Sequence, residues 1–316
     1  MCGNMKFLFI GFGSIGKRHI RNLQSIFRSK GMDLKIDLLR HSNEYADMPD
    51  EFEINNVYYS FSQLDMFYDA VFITNPTELH LVAIQNVLQY SNNFFIEKPV
   101  VSYNQIEALN NTKFKDGDVY YVACPLRYSR VIQFLKHNIN AADIVAVRSI
   151  SSSYLPDWRP GVDYRNTYSA RKELGGGVSI DLIHEWDYLT YLYGMPLEIK
   201  SMIGRKSLLE INSDDYAVYM ADYGNKIVEL HLDYFGRVPI RESVIFTKDD
   251  TIVADLQHGK IKCLKENRVV VFTEERNDYQ IRELEHFLDI VAGRCANDST
   301  MGHAVDVLKL TQGVVV

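Results

Sequence analysis

The stretch Phe7-Leu8-Phe9-Ile10-Gly11-Phe12-Gly13-Ser14-Ile15-Gly16-Lys17-Arg18-His19 decides the fold. Four apolar residues read as a buried strand and run directly into Gly11, Gly13 and Gly16 at G-x-G-x-x-G spacing. Ile15, Ile20, Leu23, Ile26 and Phe27 then recur at helical spacing, which predicts a helix over about residues 15–29. Strand, glycine loop and helix in that order suit a dinucleotide. Gly11 permits the tight turn, Gly13 lets the backbone approach a pyrophosphate, and Gly16 lets helix and strand pack closely. The opening N–H groups of the helix, at Ser14 and Ile15, stand at the positive end of its dipole.

The next segments extend the pattern. Leu34 to Leu39 reads as a second strand, and its end selects the cofactor. An acidic residue there would bind the adenosine ribose of NAD. The residues present are Arg40, His41 and Ser42. Arginine suits a 2′-phosphate through charge-assisted hydrogen bonds, so NADP(H) is favoured, with NAD(H) open if Ser42 holds the ribose. Val57–Ser60 and Asp69–Thr74 read as strands, and Asn75-Pro76-Thr77 opens a helix running to about Tyr90, since proline suits a first helical turn. Phe94–Ile96 is a strand ending at Glu97-Lys98-Pro99, and Val119–Ala123 is the last strand of this half. Such alternation implies a doubly wound parallel sheet with ligands outside the carboxyl ends of its strands.

The second half reads differently. A helix over Tyr128–His137 and a strand over Ile144–Ser152 precede a polar, aromatic tract, 153–173. Gly175-Gly176-Gly177 then leads into one amphipathic helix, Val178 to about Tyr193. From Leu197 to Thr273 come five or six strand-like runs with turn signals at Gly224-Asn225, Asp249-Asp250 and His258-Gly259, and two helices close the chain, about 277–292 and 303–313. The expected architecture is α/β: a Rossmann domain over 1–123, then a domain over 124–316 with a mostly antiparallel open sheet. The last helices are able to pack back on the first domain.

Composition narrows the function classes. A chain of 316 residues with 47% hydrophobic and 24% charged residues suits a globular two-domain protein. A net charge of −7 argues against nucleic acid as a partner. No apolar run reaches the roughly 20 residues of a membrane span. Cys2, Cys124, Cys263 and Cys295 contain no C-x-x-C pair, which fits reduced thiols in a cytoplasm and no metal site. Met1 to Asn4 reads as a disordered leader.

Two places carry residues able to do chemistry. Lys98, after a buried strand, can hydrogen-bond a substrate hydroxyl or shuttle a proton; otherwise it pairs with Glu97 and caps the strand. Asp181 and His184 lie three apart, hence on one helical face, with Asp187 three further on and Glu185 pointing elsewhere. An imidazole can take a hydroxyl proton while a carboxylate orients the ring, although a lone helical histidine is also a common structural residue.

The glycine loop, Thr74-Asn75-Pro76 with His80, Glu97-Lys98-Pro99, Arg127-Tyr128, and Gly175-Gly176-Gly177 with Asp181, His184 and Asp187 occur in that order. Together they resemble the Gfo/Idh/MocA family of NAD(P)-dependent oxidoreductases across nearly the whole chain. The resemblance implies hydride transfer between a nicotinamide and a hydroxyl-bearing carbon of a sugar, sugar acid or sugar nucleotide. It also implies homodimer or homotetramer contacts through the C-terminal sheet. By likeness Lys98 is the lysine of the E-K-P motif and His184 the acid/base. Many members place the histidine four residues after the aspartate; here the gap is three, a departure that bears on Asp181 more than on His184.

The tract from Tyr154 to Leu174 resembles members encoded with bacterial surface-polysaccharide and nonulosonic-acid pathways. Tyr164 and Arg165 of this tract, with Arg127 before it, are the expected substrate contacts, and the arginines suit a phosphate or carboxylate. Tyr234, Arg237 and Arg241 are further candidates from the sheet. A non-catalytic dinucleotide-binding regulator and an NAD-dependent glycoside hydrolase of the same fold are the rival readings.

Overall fold

A computed structural model describes residues 4–40 and 50–315, so His41 and Ser42 lie outside the described residues, as do residues 1–3 of the expected leader. The chain divides into two compact units, Met1–Ala123 with Gln280–Ala304, and Cys124–Tyr279 with Val305–Val316.

In the first unit β1 (Met5–Ile10), β2 (Leu34–Leu39), β3 (Ile54–Tyr58), β4 (Ala70–Ile73), β5 (Asn93–Ile96) and β6 (Val119–Val122) form one parallel sheet in the order β3-β2-β1-β4-β5-β6. The order reverses between β1 and β4, so the ligand crevice of this topology lies beyond their carboxyl ends, where Gly11 and Asn75 follow. Helices α1 (Ser14–Ser29), α2 (His80–Val87) and α3 (Ile106–Asn110) connect the strands. Aromatic rings stack across the sheet from Phe9 to Phe72 at 4.5 Å, to Phe95 at 5.0 Å and to Tyr121 at 5.4 Å. Phe287 of α7 (Arg276–Val291) meets Phe72 and Phe95 edge-on. These buried rings bring residues 280–304 back to this unit, since aromatic pairs contribute about 0.5–1.5 kcal/mol beyond their burial. Strand β3 begins three residues earlier than the predicted Val57. Asn55 and Asn56 replace apolar side chains there by bonding Ile36 N and the Asp37 carboxylate.

In the second unit β7 (Ile144–Tyr154), β8 (Glu198–Gly204), β9 (Tyr216–Asp222), β10 (Ile227–Asp233), β11 (Phe235–Thr247), β12 (Thr251–Asp255), β13 (Lys260–Cys263) and β14 (Arg268–Val271) form a sheet ordered β14-β13-β12-β11-β7-β10-β9-β8. Only β7 and β10 pair in parallel. Residues 197–273 thus give seven strands, one or two more than predicted. Tyr234 alone separates β10 from β11, so two strands read as one run. Helix α4 (Arg130–Asn138) precedes β7, and α8 (Met301–Leu310) comes last.

The helix predicted over 178–193 is two. α5 (Val178–Asp181) and α6 (Ile183–Tyr193) are split at Leu182, whose φ of −95° and ψ of 25° leave the helical region. Asp181 and His184 therefore stand on either side of a break, and the expectation of one shared helical face fails. A three-residue spacing defines a face only while the helical hydrogen-bond ladder is continuous. No described helix is long and apolar enough to cross a membrane.

Candidate active site

In the first unit the candidate region is the glycine loop, whose three glycines answer different demands. Gly11 has φ +97°, and a Cβ there would lie 2.7 Å from the Asn75 backbone. At Gly16 a Cβ would lie 2.8 Å from Gly11 O and from Thr74 Oγ1. Both glycines are required by the protein's own packing. At Gly13 a Cβ would meet nothing within 4 Å, so no neighbouring protein atom explains this glycine. Gly13 is also the N-cap of α1, has no side chain capping it, and is followed by a first turn without an acidic residue. The opening N–H groups of α1 are thus left for an anion. An exposed backbone at Gly13 and Ser14 with uncapped donors fits a dinucleotide pyrophosphate.

Thr74, Asn75 and Pro76 follow β4 opposite this loop. Thr74 Oγ1 lies 3.0 Å from Gly11 O, and Pro76 starts a short 3-10 turn, Thr77–Leu79, ahead of α2. The Asn75 amide donates to Leu79 O at 3.3 Å, while its Oδ1 is buried with no hydrogen-bond partner. His80, expected at the cofactor, is 1% exposed. Its Nε2 lies 2.9 Å from Asn75 O and its Nδ1 3.1 Å from Pro99 O, so it ties the Asn75 turn to the Lys98-Pro99 turn. It is a positioning residue in this geometry. Burial holds its imidazole below the usual pKa against the contrary pull of those carbonyls.

Glu97 accepts from His19 Nε2 at 2.5 Å. Burial would raise its carboxyl, but the His19 contact and the charges of His19, Lys98 and His80 outweigh it and hold the pKa low. Glu97 thus binds α1 to the end of β5 and presents a negative charge beside the half-buried Lys98. His19 is a site residue that sequence reasoning missed; its place three residues past Gly16, on the buried face of α1, was the available signal. At the end of β2, Arg40 follows the last strand residue and its N–H bonds Tyr58 O. The acidic residue of that strand, Asp37, is fully buried and held by Lys6 at 2.8 Å, Tyr68 at 3.0 Å and Asn56 at 2.9 Å.

In the second unit the candidate region is the α5–α6 pair. Gly177 has φ +138°, and a Cβ there would meet Asp214 Oδ1 at 2.1 Å. Asp214 in turn receives Ser179 N on Oδ2 at 2.9 Å, capping α5, and burial raises its carboxyl pKa despite that bond. Asp181 is 6% exposed and accepts from the Tyr234 hydroxyl at 2.5 Å. Tyr168 also bonds Asp181; burial first, and that carboxylate second, raise both phenols above their usual range. Tyr168 carried no sequence signal, because only the fold brings it to α5.

Within residues 181–190 every side chain is buried except His184. Two ion pairs hold the helix around it, one buried on both sides and one between a buried carboxylate and a partly exposed arginine. Arg127, 2% exposed, donates Nε and Nη2 to the two oxygens of Asp187, at 2.9 and 2.5 Å. Glu185, fully buried, lies 2.9 Å from Arg241 Nε without hydrogen-bond geometry. Arg127 and Arg165, expected on a substrate anion, are both met by carboxylates: Arg165 is exposed and paired with Asp163 at 2.9 Å and Glu210 at 3.1 Å. The Tyr164 hydroxyl accepts from Glu210 N at 3.2 Å.

Elsewhere among the described residues Asp250, Cys263 and Glu266 bring possible metal-ligating atoms within 4.8 Å of one another. Asp250 is occupied there by the N–H groups of Thr251 and Lys265, and Cys263 by Arg268.

Comparison with known proteins bears on the fold and the family. Residues 5–124 match the model of an oxidoreductase family with an NAD-binding Rossmann fold, and residues 132–248 match the GFO/IDH/MocA C-terminal domain. An uncharacterized oxidoreductase, YrbE, of Bacillus subtilis (strain 168) is 25% identical over 189 residues. That match spans 58% of this chain and 52%, about half, of the relative. A levoglucosan dehydrogenase in complex with NADH superposes with a TM-score of 0.85 at 15% identity, covering 99% of this chain and 96% of the other. The UDP-N-acetylglucosamine 3-dehydrogenase GnnA from Acidithiobacillus ferrooxidans gives 0.77 at 19% identity, over 98% and 96%. At these identities the structural likeness speaks for the fold, and the family follows from the two matched domains. The chain belongs to the Gfo/Idh/MocA oxidoreductase family, with an NAD-binding Rossmann fold at its N-terminal end.

Proposed function

We propose that the chain is an NAD(P)(H)-dependent dehydrogenase acting on a hydroxyl-bearing carbon of a sugar or sugar derivative. The observation that carries the proposal is His184, the one side chain of 181–190 left accessible on an otherwise buried segment held by two ion pairs. A bound nicotinamide would accept or supply the hydride. His184 takes and returns the hydroxyl proton, and Lys98, beside the Glu97 carboxylate, hydrogen-bonds the same oxygen. Asp181 acts by position: its carboxylate is held by Tyr234 and Tyr168 and anchors the end of α5 next to the break.

The loop of Gly11, Gly13, Ser14, Ile15 and Gly16 holds the pyrophosphate through backbone N–H groups, and Asn75 Oδ1, an unspent acceptor, suits a hydroxyl donor of the cofactor. NADP(H) is the favoured cofactor, because Arg40 directly follows β2 while the strand's carboxylate, Asp37, is consumed in the core. Sugar chemistry is supported by the names of two similarly folded enzymes, the levoglucosan and UDP-N-acetylglucosamine 3-dehydrogenases. Met202, Val218 and Met220, exposed on neighbouring strands β8 and β9, support self-association through the open sheet as a homodimer or homotetramer. Free thiols at Cys124, Cys263 and Cys295 support a reducing, cytoplasmic setting.

The test is a screen of sugars, uronic acids and sugar nucleotides with both cofactors, followed by nicotinamide absorbance. Turnover in the wild type that disappears in His184→Ala, with cofactor affinity retained, is the expected outcome. Cleavage of a glycoside without net absorbance change would reassign the chain to the hydrolase reading.

A further inference from the structure

The expected anion contacts, Arg127 and Arg165, are electrostatically answered: one carboxylate meets Arg127, and two meet Arg165. Arg241 is likewise matched by Glu185. The pull of all three on a substrate anion is cancelled at source, and the N–H groups of Arg127 and Arg165 are largely spent on those carboxylates.

Two other guanidinium groups of the same unit differ. Arg237 lies over the ring of Tyr154 with its centre 3.8 Å from the centroid, and Arg159 lies over Tyr168 at 5.7 Å. No carboxylate stands within ion-pair distance of either among the described residues, and both side chains are exposed. Stacking uses the face of a guanidinium. It leaves the N–H donors at the edge free for a bidentate oxyanion while restricting the rotamers that would otherwise be lost on binding.

Both arginines belong to segments tied to Asp181 through a tyrosine, Arg159 through Tyr168 and Arg237 through Tyr234 three residues before it. Arg237 rides on a bulge: β11 pairs with β7 at Phe235–Tyr154 and resumes at Ile240–Ser152, so residues 236–239 oppose Ser153 alone. Asp233 Oδ1 pins the bulge by accepting Phe235 N at 3.0 Å and Gly236 N at 2.9 Å, with Ser152 Oγ donating to the same oxygen at 2.9 Å. A bulge pinned in this way re-aims the side chain it carries. Tyr168, under Arg159, bonds Asp181. On the other side Trp158 packs edge-on against Tyr234, the second phenol on Asp181, at 5.2 Å.

We infer that Arg159 and Arg237 receive an oxyanion of the substrate, and that the substrate is therefore a sugar carrying a phosphoryl or carboxylate group rather than a neutral sugar. The inference rests on the dehydrogenase reading and sharpens its substrate class. Uridine diphosphate, glucose 1-phosphate, glucuronate and glucose, each titrated calorimetrically into NADPH-saturated or NADH-saturated protein, test it. At least one charged probe binds more tightly than glucose, and its affinity falls as salt rises. Arg159→Ala and Arg237→Ala each weaken that probe about tenfold or more, Arg→Lys at either position restores part of the loss, and affinity for the reduced cofactor stays unchanged. Preference for the phosphorylated probes assigns a phosphoryl group; preference for glucuronate assigns a carboxylate. Equal or tighter binding of glucose, or wild-type affinity for the charged probes in both variants, overturns the inference. Failure of the wild type to bind either reduced cofactor would instead count against the dehydrogenase reading. Both arginines are exposed, so folding is not at stake, and a melting curve of each variant verifies that.

Discussion

The glycine loop and the α5–α6 pair both hold polar groups ready for a ligand, by opposite means. At the loop the requirement is on the backbone: Gly11 and Gly16 admit close neighbours, and Gly13 leaves open space that no protein atom fills. In the helix pair the requirement falls on side chains brought from far along the chain. Asp187 is answered by Arg127 across 60 residues, and Asp181 by Tyr234 across 53. A glycine states its constraint by its identity; a carboxylate states nothing until its partner is known.

The largest expected effect tests whether His184 is the working group of the helix pair. His184→Ala and Lys98→Met should each lower kcat by about 10²–10⁴-fold with cofactor affinity kept, the usual weight of a positioned acid or base. Normal turnover in both would leave the α5–α6 pair a structural element only. Next comes the buried Arg127–Asp187 pair. Arg127→Ala strands a buried carboxylate and should cost about 3–5 kcal/mol, read by chemical denaturation, whereas a double replacement by apolar residues of similar volume should recover much of it. An Arg127→Ala protein of wild-type stability would remove the contrast between the two regions.

The third prediction separates the glycines. Gly13→Ala should leave the melting temperature nearly unchanged and weaken cofactor binding by about tenfold or more, since the added methyl occupies the space expected for the pyrophosphate. Gly16→Ala should instead destabilise the fold by about 1–3 kcal/mol, because the methyl collides with Gly11 O and Thr74 Oγ1. Identical behaviour of the two variants would refute the division of roles.

The smallest effect concerns pH. His80 resists protonation in the folded chain, so the folded state binds fewer protons than the unfolded state below the ordinary imidazole value of 6.5. Its contribution to stability is present above that value and drains as pH falls through the lowered folded value. Glu97 acts in the same direction below 4.5, the usual carboxyl value. Melting temperature should therefore decline on acidification from neutral pH, and His80→Gln should flatten the first part of that decline.

The doubly wound sheet was legible because β1, β4, β5 and β6 carry continuous buried runs and its punctuation is glycine and proline. Seven strands in 197–273 were not, since Tyr234 is no turn signal and β10 runs into β11. The break at Leu182 was hidden for a related reason: nothing in Asp181-Leu182-Ile183-His184 interrupts a helix locally. The Asp214 cap on α5 and the Tyr168 and Tyr234 phenols on Asp181 set that geometry from a distance.

The sequence by itself determined the dinucleotide loop, the parallel sheet, and the residue types able to move a proton at Lys98 and His184. Those depend on backbone conformation and on periodicity, which act over a few residues. Tertiary structure alone decided which charges are available. Arg127 and Arg165 looked like anion contacts and were met by carboxylates, while Arg159 and Arg237 were stacked on tyrosines with their donors unspent. The physical reason is that a charge's reach depends on its nearest opposite charge, and that neighbour is chosen by the fold.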